Sequence, residues 1–133
     1  MPDPVVFVVD DDAAVRDSLK FVLSAADYRV ETFASGEEFL ERWRHDRAGC
    51  LLADMNLPDM SGANLAGMLK GRVANLSIIL MTGKGGRRSR AMADRLGAFY
   101  IEKPFIHDCL LATVRGAMAS HADGSASATT HDG

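Results

Sequence analysis

Four short, nearly uninterrupted apolar runs, at residues 5–9, 50–53, 78–81 and 99–101, lie far apart in the chain, and each gives way at once to polar residues. Runs this short suit strands better than helices. A strand that is apolar on both of its alternating faces has to be covered on both, which is the condition of a parallel sheet. A fifth run, 28–33, sets Arg29 and Glu31 among Val30 and Phe33. That alternation predicts an edge strand.

Between these runs the apolar period lengthens to that of a helix. Val15, Leu19, Val22, Leu23 and Ala26 form one stripe, and Phe39, Leu40 and Trp43 a second. Leu65, Met68 and Leu69 form a third, and Leu110, Leu111, Val114 and Met118 a fourth. Ser35 with Glu38 three residues on, and Ser61 ahead of the third stripe, are expected N-caps. Trp43 is expected to anchor the second helix to the sheet. Strands alternating with helices imply right-handed βαβ crossovers, so the fold class is α/β, an open, doubly wound parallel sheet with helices on both faces. One soluble domain accounts for 133 residues of which 47% are hydrophobic. Residues 1–120 are assigned to it. Residues 121–133 continue a stretch of Ala, Ser, Thr, Gly, His and Asp with no large apolar side chain, and are expected to be a disordered tail or linker remnant.

Composition removes several functions. Eighteen acidic against fifteen basic side chains leave a formal charge of −3, so nothing in the overall balance calls for nucleic acid. The chain has no apolar run long enough to span a bilayer and opens Met-Pro-Asp-Pro, unlike a signal peptide, so a cytoplasmic protein with no membrane contact is expected. Cys50 and Cys109 lie beside leucines and are read as buried thiols, and none of the four histidines has metal spacing.

Ligands of open α/β sheets bind outside the carboxyl ends of the strands. There the first strand ends in Asp10, Asp11 and Asp12, the third in Asp54, the fourth in Thr82, and the fifth runs through Glu102 into Lys103. Carboxylates converging on one crevice repel one another unless a cation sits among them. Oxygen ligands alone favour Mg²⁺, with Mn²⁺ able to substitute. A metal beside a carboxylate, a hydroxyl and an ammonium group fits phosphoryl transfer. Asp54, alone after a buried strand, is the expected nucleophile, while Asp10 and Asp11 pair for the metal, and Lys103 and Thr82 hold phosphoryl oxygens. Plainer readings stand beside these: Asp11 or Asp12 as a helix cap, Thr82 as a turn hydroxyl, Lys103 as a solvated lysine, Tyr100 as core. The basic stretch from Lys84 to Arg95, net +4, reads either as a solvated helix face or as a docking patch for an acidic surface.

Four motifs, each at the end of a different strand, resemble the receiver domains of two-component response regulators, and most of all the FixJ-type receiver. They are Val-Val-Asp10-Asp11-Asp12, Ala53-Asp54-Met55-Asn56-Leu57-Pro58-Asp59-Met60-Ser61-Gly62, Met81-Thr82-Gly83 and Tyr100-Ile101-Glu102-Lys103-Pro104-Phe105. The likeness extends to about His121. It implies a flavodoxin-like sheet of order 2-1-3-4-5, with Asp54 as phosphoacceptor and Asp10, Asp11, Asp54 and the backbone carbonyl of Asn56 around Mg²⁺. It also implies Tyr100 as an aromatic switch coupled to Thr82, Asn56 and Lys84 as positions that tune hydrolysis, and a cis Lys103–Pro104 bond.

By the same likeness the chain is a signalling domain rather than an enzyme with separate substrates, and its donor is a sensor histidine kinase. A DNA-binding module does not fit in the tail, so output is expected through a target protein or a histidine phosphotransfer protein, or through an effector separated from this domain. Either a homodimer or a monomer is compatible with it. The run Gly83, Gly85, Gly86, Arg87, Arg88, Arg90 departs from the family's usual pattern and leaves the start of the fourth helix open. A haloacid-dehalogenase hydrolase would need Thr or Val where Ala14 stands, and Gly83-Lys84-Gly85-Gly86 matches no nucleotide-binding motif.

Overall fold

The chain runs β1 (Val5–Val9), α1 (Ala13–Ala25), β2 (Arg29–Phe33), α2 (Gly36–Arg42), β3 (Gly49–Asp54), α3 (Gly62–Leu69), β4 (Leu76–Thr82), α4 (Arg87–Leu96), β5 (Phe99–Glu102) and α5 (His107–Asp123). The computed structural model describes residues 5–43, 49–57, 59–69, 76–83, 87–103 and 107–123. All five strands pair in parallel in the order β2-β1-β3-β4-β5, the expected doubly wound sheet. None of the helices among the described residues is long and apolar enough to cross a membrane.

The two-residue period of the central strands divides the core. Val5, Phe7 and Val9 with Leu51, Ala53 and Leu80 meet Phe39 of α2, Leu65 and Leu69 of α3 and Ala93 of α4. Val6 and Val8 with Cys50, Leu52, Ile79 and Met81 meet Leu19 and Leu23 of α1 and Leu110 and Val114 of α5. On the first face Phe39 packs edge-on against Phe7 and Phe33 and stacks on Trp43, so that α2 is seated by an aromatic cluster. The capping residues read from sequence are in place. Ser35 Oγ accepts from the Glu38 N–H, Ser61 Oγ accepts from the Asn64 N–H, and Glu38 Oε1 reaches back to the Ala34 N–H.

Several expectations need correcting. The apolar character of 99–101 suggested a strand covered on both faces, yet β5 has only Ile101 buried, in keeping with the edge position that the order 2-1-3-4-5 gives it. Of the two cysteines only Cys50 is buried, where burial pushes its thiol pKa up, while Cys109 in the first turn of α5 is exposed. Met68 of the third stripe is also exposed. The strands outrun their apolar runs, β3 taking in Gly49 and Asp54 and β4 taking in Leu76 and Thr82, because backbone pairing continues past the last apolar side chain. Helix α4 starts at Arg87, and α5 continues to Asp123, three residues into the stretch assigned to a tail. The rest of that stretch, together with Lys84 and Pro104, lies outside the described residues.

Helices α1 and α4 end alike. The Tyr28 and Asp27 N–H groups donate to the Leu23 and Ser24 carbonyls, and the Ala98 and Gly97 N–H groups donate to the Ala93 and Asp94 carbonyls. Each pair of bonds closes a Schellman motif, which needs a left-handed residue at its turn. Glycine supplies it at Gly97 with φ 69°, but at the equivalent turn Asp27 is held at φ 72°. Asp27→Gly is therefore expected to stabilise the fold by about 0.5–1 kcal/mol. Urea denaturation measures this, and a loss of stability would contradict the strain assigned to Asp27.

Candidate functional site

Three strands deliver the site to one edge of the sheet. Asp10 follows β1 and extends its pairing, its N–H donating to the Phe33 carbonyl. The Asp10 side chain is fully buried, and its Oδ1 accepts from the Asp12 N–H at 2.9 Å. Asp12 caps α1, its Oδ1 accepting from the Ala14 N–H at 2.9 Å, so the plain capping role weighed for Asp11 or Asp12 belongs to Asp12. Arg16 reaches back from the first turns of α1 and donates to the Asp10 carbonyl at 2.7 Å.

Asp54 is the last residue of β3, 7% exposed, with Oδ1 accepting from the Asn56 N–H at 2.9 Å. The Lys103 ammonium joins the two carboxylates, 2.7 Å from Asp10 Oδ2 and 2.9 Å from Asp54 Oδ2. Its backbone is placed by the Lys103 N–H donating to the Thr82 carbonyl at 2.7 Å, which carries the β4–β5 pairing one step past β5. Thr82 is thereby set beside the ion pairs, buried at the end of β4.

Burial pushes the Asp10 carboxyl above the usual carboxylate range, against the pull of Lys103 and the Asp12 N–H. Burial is the largest single influence on the Lys103 ammonium and works against it, but the hydrogen bonds it donates to Asp10 and Asp54, together with the attraction of their charges, hold its pKa above the usual lysine value.

One carboxylate oxygen each from Asp10, Asp11 and Asp54 lies within 4.8 Å of the others, with Asp11 exposed and so open to solvent. An all-oxygen set that is part buried and part open suits a hard divalent cation keeping some of its waters. Lys103 spans only one oxygen of Asp10 and one of Asp54, and each carboxylate keeps further lone pairs for a cation. The site therefore fits Mg²⁺ by donor chemistry. Beside Lys103 and Gly83 a cleft of about 550 Å³ opens between α1 and α5, lined by Val15, Leu19, Val22 and Leu110.

The remaining candidates sit around this centre. Asn56 is exposed and pairs with Ser61 in an antiparallel bridge. Tyr100 packs half-buried against the α2, α3 and α4 side of the core. Its hydroxyl donates to Glu102 Oε2 at 3.2 Å, and the Arg90 guanidinium stands over its ring, 5.1 Å from the centroid. Lys84 lies outside the described residues.

Sequence reading gave three residues no role. Arg16 and Asp59 act on backbone groups, and no local pattern announces such partners. Gly62 carried a readable signal, the Ser-Gly pair opening α3. A Cβ there would run into the Asp54 carbonyl, so only glycine lets α3 begin this close to β3.

A family model described as "Response regulator receiver domain" matches residues 6–115. The chain is 36% identical over 114 residues to the transcriptional regulatory protein FixJ of Bradyrhizobium diazoefficiens, covering 85% of this chain and 56% of that protein. Among solved structures it is similar to response regulator StyR, with a TM-score of 0.85 and 35% identity over 98% of this chain and 67% of that one. The structure named FixJ-N gives a TM-score of 0.80 and 35% identity, covering 90% and 96%. The chain thus spans little more than half the length of the curated relatives it matches.

The electrostatics set the sign of two substitutions. A carboxyl whose pKa folding raises favours the fold while protonated, a contribution present below the ordinary value of 3.8 and lost as pH rises above it. Asp10→Asn keeps an acceptor for the Asp12 N–H and is expected to raise the urea midpoint at pH 7, with the gain shrinking as pH falls towards 3.8. Lys103→Met strands two carboxylates and is expected to lower stability at pH 7 by about 1–3 kcal/mol. A lower midpoint for Asp10→Asn would show that Lys103 more than offsets the burial.

Proposed function

The chain belongs to the response regulator receiver family of two-component systems, and from that premise we propose that it takes a phosphoryl group from the phosphohistidine of a sensor histidine kinase onto Asp54. The observation that carries this reading is the shared ammonium of Lys103, which holds the Asp54 carboxylate beside Asp10 and Asp11 at the mouth of the sheet. A carboxylate with one oxygen fixed by a backbone N–H and the other by an ammonium is oriented before any donor arrives. In the transfer an Asp54 oxygen bonds to phosphorus, the P–N bond breaks, and the imidazole leaves with the electron pair. Mg²⁺, or Mn²⁺ in its place, would be held by Asp10, Asp11, Asp54 and the Asn56 carbonyl, and would supply neutralisation of the phosphoryl oxygens when bound.

The new group brings up to about two negative charges at neutral pH. Lys103 then has a stronger partner than a bare carboxylate, and the Thr82 hydroxyl moves to a second phosphoryl oxygen. Tyr100 is the switch. It exchanges its contacts with Glu102 and Arg90 for an inward position as Thr82 leaves its place, biasing the surface formed by α4 and β5. Asn56 and Lys84 tune how fast the phosphoryl group is hydrolysed.

The curated relatives are named as transcriptional regulators. For this domain we assign the output to protein contacts in the cytoplasm, with a target protein or, as a phosphorelay intermediate, with a histidine phosphotransfer protein. No step in this reading uses nucleic acid or a membrane. A homodimer through the α4 and β5 surface is compatible with it.

Incubation with Mg²⁺ and acetyl phosphate, followed by weighing the intact protein, is expected to show one added phosphoryl group in the parent and none in Asp54→Asn. Chelating the metal should abolish the gain, and Lys103→Met should slow it by about 100-fold. Undiminished uptake by Asp54→Asn would move the acceptor elsewhere.

A further inference from the structure

The segment that follows Asp54 is closed on itself and tethered at its far end. The Asn56 N–H donates to Asp54 Oδ1, Asn56 pairs with Ser61, and the Gly62 N–H donates to the Met55 carbonyl at 2.9 Å. Asp59 and Met60 of this loop meet the start of α2. The Asp59 side chain accepts from the Gly36 N–H at 3.2 Å and from the Glu37 N–H at 2.8 Å, the first two residues of α2. Those N–H groups have no partner within their own helix. Met60 fills the space where a side chain at position 36 would lie, its Sδ only 2.8 Å from a Cβ built there, so the absence of a side chain at Gly36 lets the tip seat against α2. Helix α2 is itself held to the sheet by Phe39 against Phe7 and Phe33. Contacts therefore run from the core of the sheet through α2 to Asp59 and Met60, and through Ser61, which pairs with Asn56, to the residue bonded to Asp54.

We propose that Asp59 is a positioning residue for the phosphoacceptor, fixing the loop so that Asn56 stays registered on Asp54 and the oxygen ligands keep the spacing Mg²⁺ needs. The hydrogen bonds of Asp59 go to α2 and not to Asp54 or the metal ligands, so it acts through the backbone leading to Ser61 and the Ser61–Asn56 pairing. The inference rests on the phosphoacceptor reading for its consequence and on the hydrogen bonds alone for its mechanics. Ser35 provides the internal comparison, because its hydroxyl caps the same helix through the Glu38 N–H, a bond in which the loop takes no part.

Amide hydrogen exchange and titration with MgCl₂ alone test the proposal on Asp59→Ala, Asp59→Asn and Ser35→Ala. In Asp59→Ala the Asn56 and Gly62 amides should exchange faster and Mg²⁺ should bind about tenfold more weakly, the scale of outer-shell effects on metal sites. Asp59→Asn keeps one acceptor oxygen and should fall between the parent and Asp59→Ala, while Ser35→Ala should keep both readouts at the parent values. Parent-like exchange at Asn56 and Gly62 in Asp59→Ala would overturn the proposal, as would equal losses in Ser35→Ala, which would trace the effect to helix stability. A parent that binds no Mg²⁺ would sink the phosphoacceptor reading, and the exchange data would still decide the role of Asp59.

Discussion

One ammonium group shared by two carboxylates sets the terms for this site. Asp10 has no exposed surface and Asp54 very little, and two ionised acids brought together under those conditions would repel one another in a medium that screens them poorly. Lys103, which reaches Asp10 across 93 positions of sequence and Asp54 across 49, makes the arrangement tolerable. It does so only because its backbone is registered on Thr82, so the contact depends on β4 and β5 pairing correctly. The charge balance is incomplete, since burial still weighs against the Asp10 carboxylate and Asp11 adds a third negative charge at the rim. A site with an excess of acid on a stable sheet has the donor set and the charge to take up a divalent cation.

The scaffold that carries the strain is strong where the site is weak. The three central strands are covered on both faces, and their alternating side chains feed two separate apolar layers. The edges carry the adaptable parts. β5 is mostly exposed, and its Tyr100 is held by a hydrogen bond to Glu102 and by the Arg90 guanidinium over its ring. Contacts of this strength, at a surface, can be exchanged at modest cost. The loop after Asp54 has the opposite character, being tied to α2 at its tip and to α3 at its end by a glycine that no other residue could replace without moving the Asp54 carbonyl.

Much of this was legible in the sequence. Apolar runs of strand length separated by helical stripes lead to the doubly wound sheet, because alternation and period are local properties of the backbone and both faces of a parallel strand must be apolar. The caps at Ser35 and Ser61 are equally local, a side chain serving a backbone group three residues away. The gathering of Asp10, Asp11, Asp54, Thr82 and Lys103 followed from one topological rule, that the carboxyl ends of parallel strands share an edge.

What the sequence could not settle were the relations that arise only once distant segments are adjacent. Burial of a cysteine depends on what packs over it, so Cys50 and Cys109 looked alike among leucines and ended on opposite sides of that distinction. The apolar character of 99–101 does not encode whether β5 is central or peripheral, and its edge position came only through the family resemblance and its order 2-1-3-4-5. The tether from Asp59 to α2 joins a side chain to backbone groups 22 and 23 residues away, and backbone N–H groups carry no sequence signature. Composition, periodicity and motif order determined the fold and the membership of the site. Tertiary structure alone decided which charge neutralises which, and which backbone groups hold Asp54 in place, because those energies depend on distance and burial rather than on residue type.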